Sequence, residues 1–128
     1  MKNLNEYITE KFKINSKNIK KQYNYHPTTR DELKNLIDKL IQERGNKADL
    51  NDIDTSEITD MEKLFYASEF NGDISEWDVS NVTNMYKMFT RSKFNGDLTK
   101  WNTTKLEKNF AMFKFCPLNT HPPKWYKD

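Results

Sequence analysis

Apolar residues in the second half of the chain recur at a fixed interval. Under a shift of 24 positions, Trp77 falls on Trp101 and Trp125, Phe65 on Phe89 and Phe113, and Ile58 on Val82 and Leu106. Leu64 meets Met88 and Met112, Met61 meets Met85, Phe70 meets Phe94 and Leu118, and Ile74 meets Leu98. Polar positions keep the same register, with Asp54 on Asp78 and Asn102, Ser56 on Ser80 and Thr104, and Asn71 on Asn95 and Asn119. An earlier half-unit, ADLNDIDTS from Ala48, aligns with GDISEWDVS from Gly72. A unit this short cannot bury its own apolar face. Such units stack on their neighbours, and in-register side chains become ladders through a shared core.

Within a unit, VTNM (Val82 to Met85) predicts a short strand and YKMFTRS (Tyr86 to Ser92) a single helical turn. FNGD predicts a turn with glycine at positive φ, and DISEW an extended return that buries Ile74 and Trp77. The expected fold class is an α+β repeat: a short leucine-rich-repeat-like solenoid of about three such units, capped by an N-terminal amphipathic helix. That helix is read from TRDELKNLIDKLIQERG. Thr29 and Glu32 stand at capping-box spacing, Leu33, Leu36, Ile37, Leu40 and Ile41 form one stripe, and Gly45 ends it. Pro117, Pro122 and Pro123 remove backbone donors from the last unit, which predicts a terminal cap. The expected organisation is a basic leader over 1–28, a capping helix over 29–47 and the repeats over 48–128.

Composition sharpens this picture. Only 35% of residues are apolar and 31% are charged, yet the chain holds 8 Phe, 6 Tyr and 3 Trp. A few large rings must therefore carry most of the burial. The formal net charge of +2 conceals a segregation, since residues 1–28 hold six Lys against two Glu and residues 49–101 hold eleven acidic against five basic residues. A basic leader on an acidic middle is not the pattern of a nucleic-acid-binding domain, so no nucleic-acid partner is expected. The single Cys116 excludes an internal disulfide, and no apolar run is long enough to span a membrane. Glu6, Glu10, Lys11 and Lys13 interrupt any signal-peptide core, which predicts an intracellular protein.

FNGDISEWDVSNVTNMYKMF (Phe70 to Phe89) resembles the BspA-type leucine-rich repeat proteins, specifically their Mycoplasma-lipoprotein-type repeat of unknown function. The shared pattern is a W-D-[VT]-S-N-V-T-N-M step, a short M-F turn and F-N-x-D-I. The likeness covers about 49–125; the second unit matches closely and the third only at its hydrophobic positions. It implies a surface or secreted protein proposed to bind other proteins, with no catalytic residues to carry over. The lack of an export signal departs from that pattern.

The leader has its own logic. Leu4, Tyr7, Ile8 and Phe12 fall on one helical face, and Lys-rich sequence follows to Lys21. One reading is a short amphipathic helix that packs on the domain. Another follows from its similarity to the capsid-targeting leaders of internal head proteins in some tailed phages, which are clipped after a Glu. Glu10 would be that position here, making the chain a packaged or structural particle component found in the virion. A third is binding to a membrane surface.

No phosphate loop, Cys/His metal spacing or nucleophile constellation stands out, so no enzymatic activity, metal or cofactor is expected. Asp54, Asp78, Asp73 and Asp97 read either as oxygen ligands for a hard cation or, more simply, as turn caps that accept backbone N–H groups. Cys116 aligns with Ser68 and Ser92, where a small packed residue fits. The function expected is non-catalytic protein–protein interaction by a monomer. Its contact centre is placed at Tyr66, Tyr86, Lys87 and Arg91, with Glu62 and Thr83 beside them, since Tyr and Arg are the usual anchors of interfaces.

Overall fold

The structure, a computed structural model, describes residues 22–127. Helix α1 (Arg30–Arg44) begins at Thr29, whose hydroxyl accepts from the Glu32 amide, while the Glu32 carboxylate accepts from the Thr28 amide. It ends at Gly45, where φ is 93° and the amide donates to the Ile41 carbonyl. Leu33, Ile37 and Leu40 are buried and join the core. The residues after α1 form turns, with a 3-10 turn at Pro117–Thr120.

The expected α+β leucine-rich-repeat-like solenoid is not formed. Among the described residues there is one α-helix and no strand. Pairing is confined to isolated parallel bridges, Tyr25 to Ile53, Asp49 to Asp73, Asp60 to Asn84 and Asn84 to Lys108. The chain is mostly loops wrapped around a compact aromatic cluster. The strand expected at 82–85 contributes only the bridging Asn84.

Successive β-turns occupy the place of the expected helical turn. The Met88 amide donates to the Met85 carbonyl, Thr90 to Lys87 and Ser92 to Phe89. The same ladder of turns runs from Met61 to Ser68, with Leu64 donating to Met61, Tyr66 to Lys63 and Ser68 to Phe65. Alternate amides point the other way, into the next segment. Met61 donates to Asn84, Lys63 to Tyr86, Phe65 to Met88 and Ala67 to Thr90, and Met85, Lys87, Phe89 and Arg91 repeat this onto Lys108, Phe110, Met112 and Lys114. A helix would point every amide along its own axis and leave none for the neighbour.

The alternation has a conformational cost. Lys63, Lys87 and Ala111 have φ of 53°, 51° and 54°, and Ala67, Arg91 and Phe115 have 54°, 62° and 59°. Each is the third residue of a β-turn, where positive φ defines the type II form. Non-glycine residues there cost roughly 1 kcal/mol each, and the cross-segment hydrogen bonds hold those of the first two turn segments in place.

The core is a set of stacked rings. Phe65, Phe89 and Phe113 stack at 5.4 and 5.7 Å between centroids, Phe70 and Phe94 at 6.1 Å, and Trp77, Trp101 and Trp125 at 6.5 and 6.2 Å. Phe89 also packs on Phe94 at 4.7 Å and on Trp101 at 6.5 Å. Each indole N–H donates to a carbonyl of an earlier segment: Trp77 to Leu50, Trp101 to Ile74 and Trp125 to Leu98. Ring pairs of this kind contribute about 0.5–1.5 kcal/mol beyond their burial.

Gly72 and Gly96 are not at positive φ, contrary to the expected Asn-Gly turn. They are glycines because of close approach. A Cβ on Gly72 would lie 2.0 Å from the Ala48 carbonyl oxygen and 2.6 Å from Phe70 Cε1. On Gly96 it would lie 2.5 Å from Phe94 Cζ, but 3.4 Å from the Gly72 carbonyl.

One ion pair ties the first segments together. The Arg44 guanidinium, at the end of α1, grips both Asp52 carboxylate oxygens at 2.9 Å, and the Asn24 side chain donates to the same carboxylate. The hydrogen bond from Arg44 is the largest cause that lowers the Asp52 pKa from 3.8 to about 2.

Three consequences can be measured. Phe89→Ala should lower stability by about 3–5 kcal/mol in urea unfolding, whereas Phe110→Ala, at an exposed ring, should change it by about 0.5 kcal/mol or less. Gly72→Ala must displace a backbone oxygen, so it should cost about 1–3 kcal/mol and more than Gly96→Ala in the same assay. Because folding lowers the Asp52 pKa, its contribution is present above pH 4 and is lost as pH falls toward 2. Partial exposure reduces it to about 1 kcal/mol. The deficit of Asp52→Ala in thermal unfolding should therefore shrink over that window.

A surface of exposed rings under cations

The turns that carry positive φ also aim side chains outward. Tyr66 is 42% exposed, Phe110 69% and Phe115 63%. Tyr86 stacks on Phe110 at 6.1 Å, while Lys87 Nζ lies 5.2 Å and Lys63 Nζ 6.0 Å from the Tyr86 ring centre. Lys63 Nζ also stands 5.8 Å from the Tyr66 ring, so one ammonium joins both tyrosines. A second group forms around Phe115, with the Arg91 guanidinium at 4.9 Å and Lys114 Nζ at 5.4 Å. Cation–ring contacts at exposed sites are worth about 0.5–1 kcal/mol each, which biases the long side chains toward the rings. Lys63, Lys87, Arg91 and Lys114 form no salt bridge among the described residues.

Lys114 also lines a cleft of about 470 Å³ with Asn109, Phe110, Ala111, Asn119 and Tyr126. The Phe110 and Tyr126 rings give it apolar walls, and the ammonium and the two amides give it polar ones.

Of the residues placed at the contact centre from sequence, Tyr66, Tyr86 and Lys87 come together around Lys63. Arg91 stands in the neighbouring group with Phe115. Glu62 and Thr83 have other engagements. The Glu62 carbonyl accepts from Arg30 Nε and its amide donates to Asp60, while the Thr83 hydroxyl donates to the Thr59 carbonyl. Phe110, Lys114 and Phe115 were not among the expected contacts. The signal for two of them was in the repeat, because Phe110 aligns with Tyr86 and Phe115 with Arg91. Leu4, Tyr7, Ile8, Glu10 and Phe12 lie outside the described residues.

The aspartates weighed as cation ligands are engaged in turns. Asp54, Asp73, Asp78 and Asp97 each accept the amide two residues on, from Ser56, Ser75, Ser80 and Thr99. Among the described residues no cluster of His, Cys, Asp or Glu has the arrangement of a metal site. Cys116 is buried, its thiol donating to the Phe94 carbonyl. His121 bridges Asn95 and Thr120 through its two ring nitrogens, and His26 pairs with Asp54 at 3.3 Å. Among the described residues no helix is long and apolar enough to cross a membrane.

Neither a curated protein nor a solved structure matches the chain. A family described as Mycoplasma protein of unknown function, DUF285, matches residues 32–126, from the first turn of α1 to the Tyr126 ring that packs on Phe113. That span takes in most of the chain, including every stacked ring of the core and both cation–ring groups, and the chain therefore belongs to this family of Mycoplasma proteins of unknown function, DUF285.

Proposed function

We propose that the protein is a non-catalytic protein–protein interaction module, docking its partner on the surface that runs from Tyr66 to Phe115. The observation that carries this reading is the pairing of exposed aromatic rings with cations that have no carboxylate partner among the described residues. Rings held under cations are preorganised, so a partner that meets them loses little side-chain freedom on binding. Aromatic residues and Arg are also the groups that dominate binding energy at interfaces. Positive φ at Lys63, Lys87, Arg91 and Phe115 adds support, because strained backbone concentrates where side chains must be presented. The motif resemblance to BspA-type repeat proteins, whose members are proposed to bind other proteins, points the same way.

The test uses the full chain as bait in a native lysate, with Arg91→Ala/Phe110→Ala as the parallel bait. A stoichiometric partner should be retained by the unmodified chain and lost from the double variant. Thermal unfolding of the two should stay within a few degrees. Equal retention by both baits would remove this surface from the reading.

A further inference from the structure

We propose that the partner segment received here is acidic and carries one apolar anchor. Its carboxylates would meet Lys63, Lys87, Arg91 and Lys114, and its anchor would enter the cleft between Phe110 and Tyr126. This rests on the protein-binding reading and names the chemistry of the partner.

The first argument is charge. The block over residues 49–101 is acidic overall, yet three of its five basic residues, Lys63, Lys87 and Arg91, lie on the ring surface. Lys114 adds a fourth cation, and none of the four is in a salt bridge among the described residues. Arg44, Lys34 and Lys100 are paired with Asp52, Asp38 and Glu76, while other lysines, among them Lys93 and Lys108, also form no salt bridge among the described residues. What sets the four apart is that they gather over aromatic rings. The surface therefore offers charge-assisted donors of the kind that carboxylates accept.

The second argument separates an acidic peptide from a single-stranded nucleic acid, the other polyanion that such a surface could attract. Nucleic-acid platforms leave ring faces open so that bases can stack on them. Here Tyr86 is stacked on Phe110 and approached by two ammonium groups, and Phe115 is approached by Arg91 and Lys114. A face of Tyr86 and of Phe115 is thereby shared with a cation. Although Phe110 and Phe115 remain 69% and 63% exposed, a ligand reaching these rings meets charged N–H donors beside them.

The cleft supplies the third element. At about 470 Å³ it has room for a large apolar side chain, and Phe110, Ala111 and Tyr126 are among its lining residues. Lys114 lies on its lining and also over the Phe115 ring, so a carboxylate next to the anchor residue would reach that ammonium.

The experiment sorts a displayed library of random linear peptides against the full chain and then measures the affinity of synthetic copies by fluorescence anisotropy. Enriched peptides should combine Asp or Glu with one Leu, Met or Phe, and should weaken as salt rises. Lys114→Glu/Arg91→Glu should weaken them about tenfold or more, while Lys114→Arg should retain binding and both variants should unfold at the unmodified temperature. Enrichment of neutral or basic peptides, or affinity indifferent to the charge reversal, would overturn the acidic assignment and leave the protein-binding reading standing. Absence of any enriched peptide would overturn both. Binding of a labelled oligothymidylate in preference to every peptide would do the same and assign the surface to a nucleic acid.

Discussion

The amides between Met61 and Ser68, and again between Met85 and Ser92, alternate between two destinations, and the rest of the structure depends on that division. One set closes β-turns within the segment and the other reaches the carbonyls of the next. A buried backbone must have its polar groups paired. These turn segments meet that requirement without a sheet or a helix, by dividing their donors between local and cross-segment acceptors. The division sets the register, because a slip of one residue would exchange the two sets. With the register held, Phe65 lands on Phe89 and Phe89 on Phe113, and each Trp indole finds its carbonyl. The ring stacks and the backbone bonds specify the same alignment, and agreement of this kind between local and long-range terms favours one structure over its competitors.

Six non-glycine residues at positive φ are the local penalty of this arrangement, and they lie where the outer surface is made. Lys63 and Lys87 reach over Tyr86, and Arg91 reaches over the ring of Phe115, which itself has positive φ. The backbone that satisfies the core and the side chains that form the cation–ring surface are thus one design. A β-branched residue could not take those positions without added strain.

How much of this was legible in the sequence depends on which signal each feature leaves. The stacked core left a strong one: identical ring types at a fixed offset can be read without knowing the backbone, and the buried ladders are those that the offset predicts. The backbone conformation left almost none. A type II turn usually announces itself by glycine at its third position, and here Lys, Ala, Arg and Phe occupy it. VTNM and YKMFTRS consequently read as strand and helix by composition, and only the cross-segment hydrogen bonds decide otherwise. The Asn-Gly dipeptides misled in the opposite sense, since they suggested positive φ where the need was for space beside Ala48 and Phe94.

The candidate surface shows the same division. Tyr66, Tyr86, Lys87 and Arg91 were named by residue type, because Tyr and Arg are the usual anchors of interfaces, and the structure places each of them in a cation–ring contact. Phe110 and Phe115 were not named, because the third unit keeps only the hydrophobic positions of the motif and puts Phe where the second has Tyr86 and Arg91. The structure separates them: Phe113 is fully buried, while Phe110 and Phe115 flank it at 69% and 63% exposure. Burial alternates along this segment because the turns alternate, a period of neither a helix nor a strand. Lys114 lies between Phe113 and Phe115, and its ammonium reaches the Phe115 ring while it also lines the cleft beside Phe110. Phe115 is therefore held under cations, and Phe110 against a ring that is itself under cations, by the same turns that bury Phe113. That relation to a cation, rather than exposure alone, distinguishes these rings from apolar residues left over at the end of a repeat.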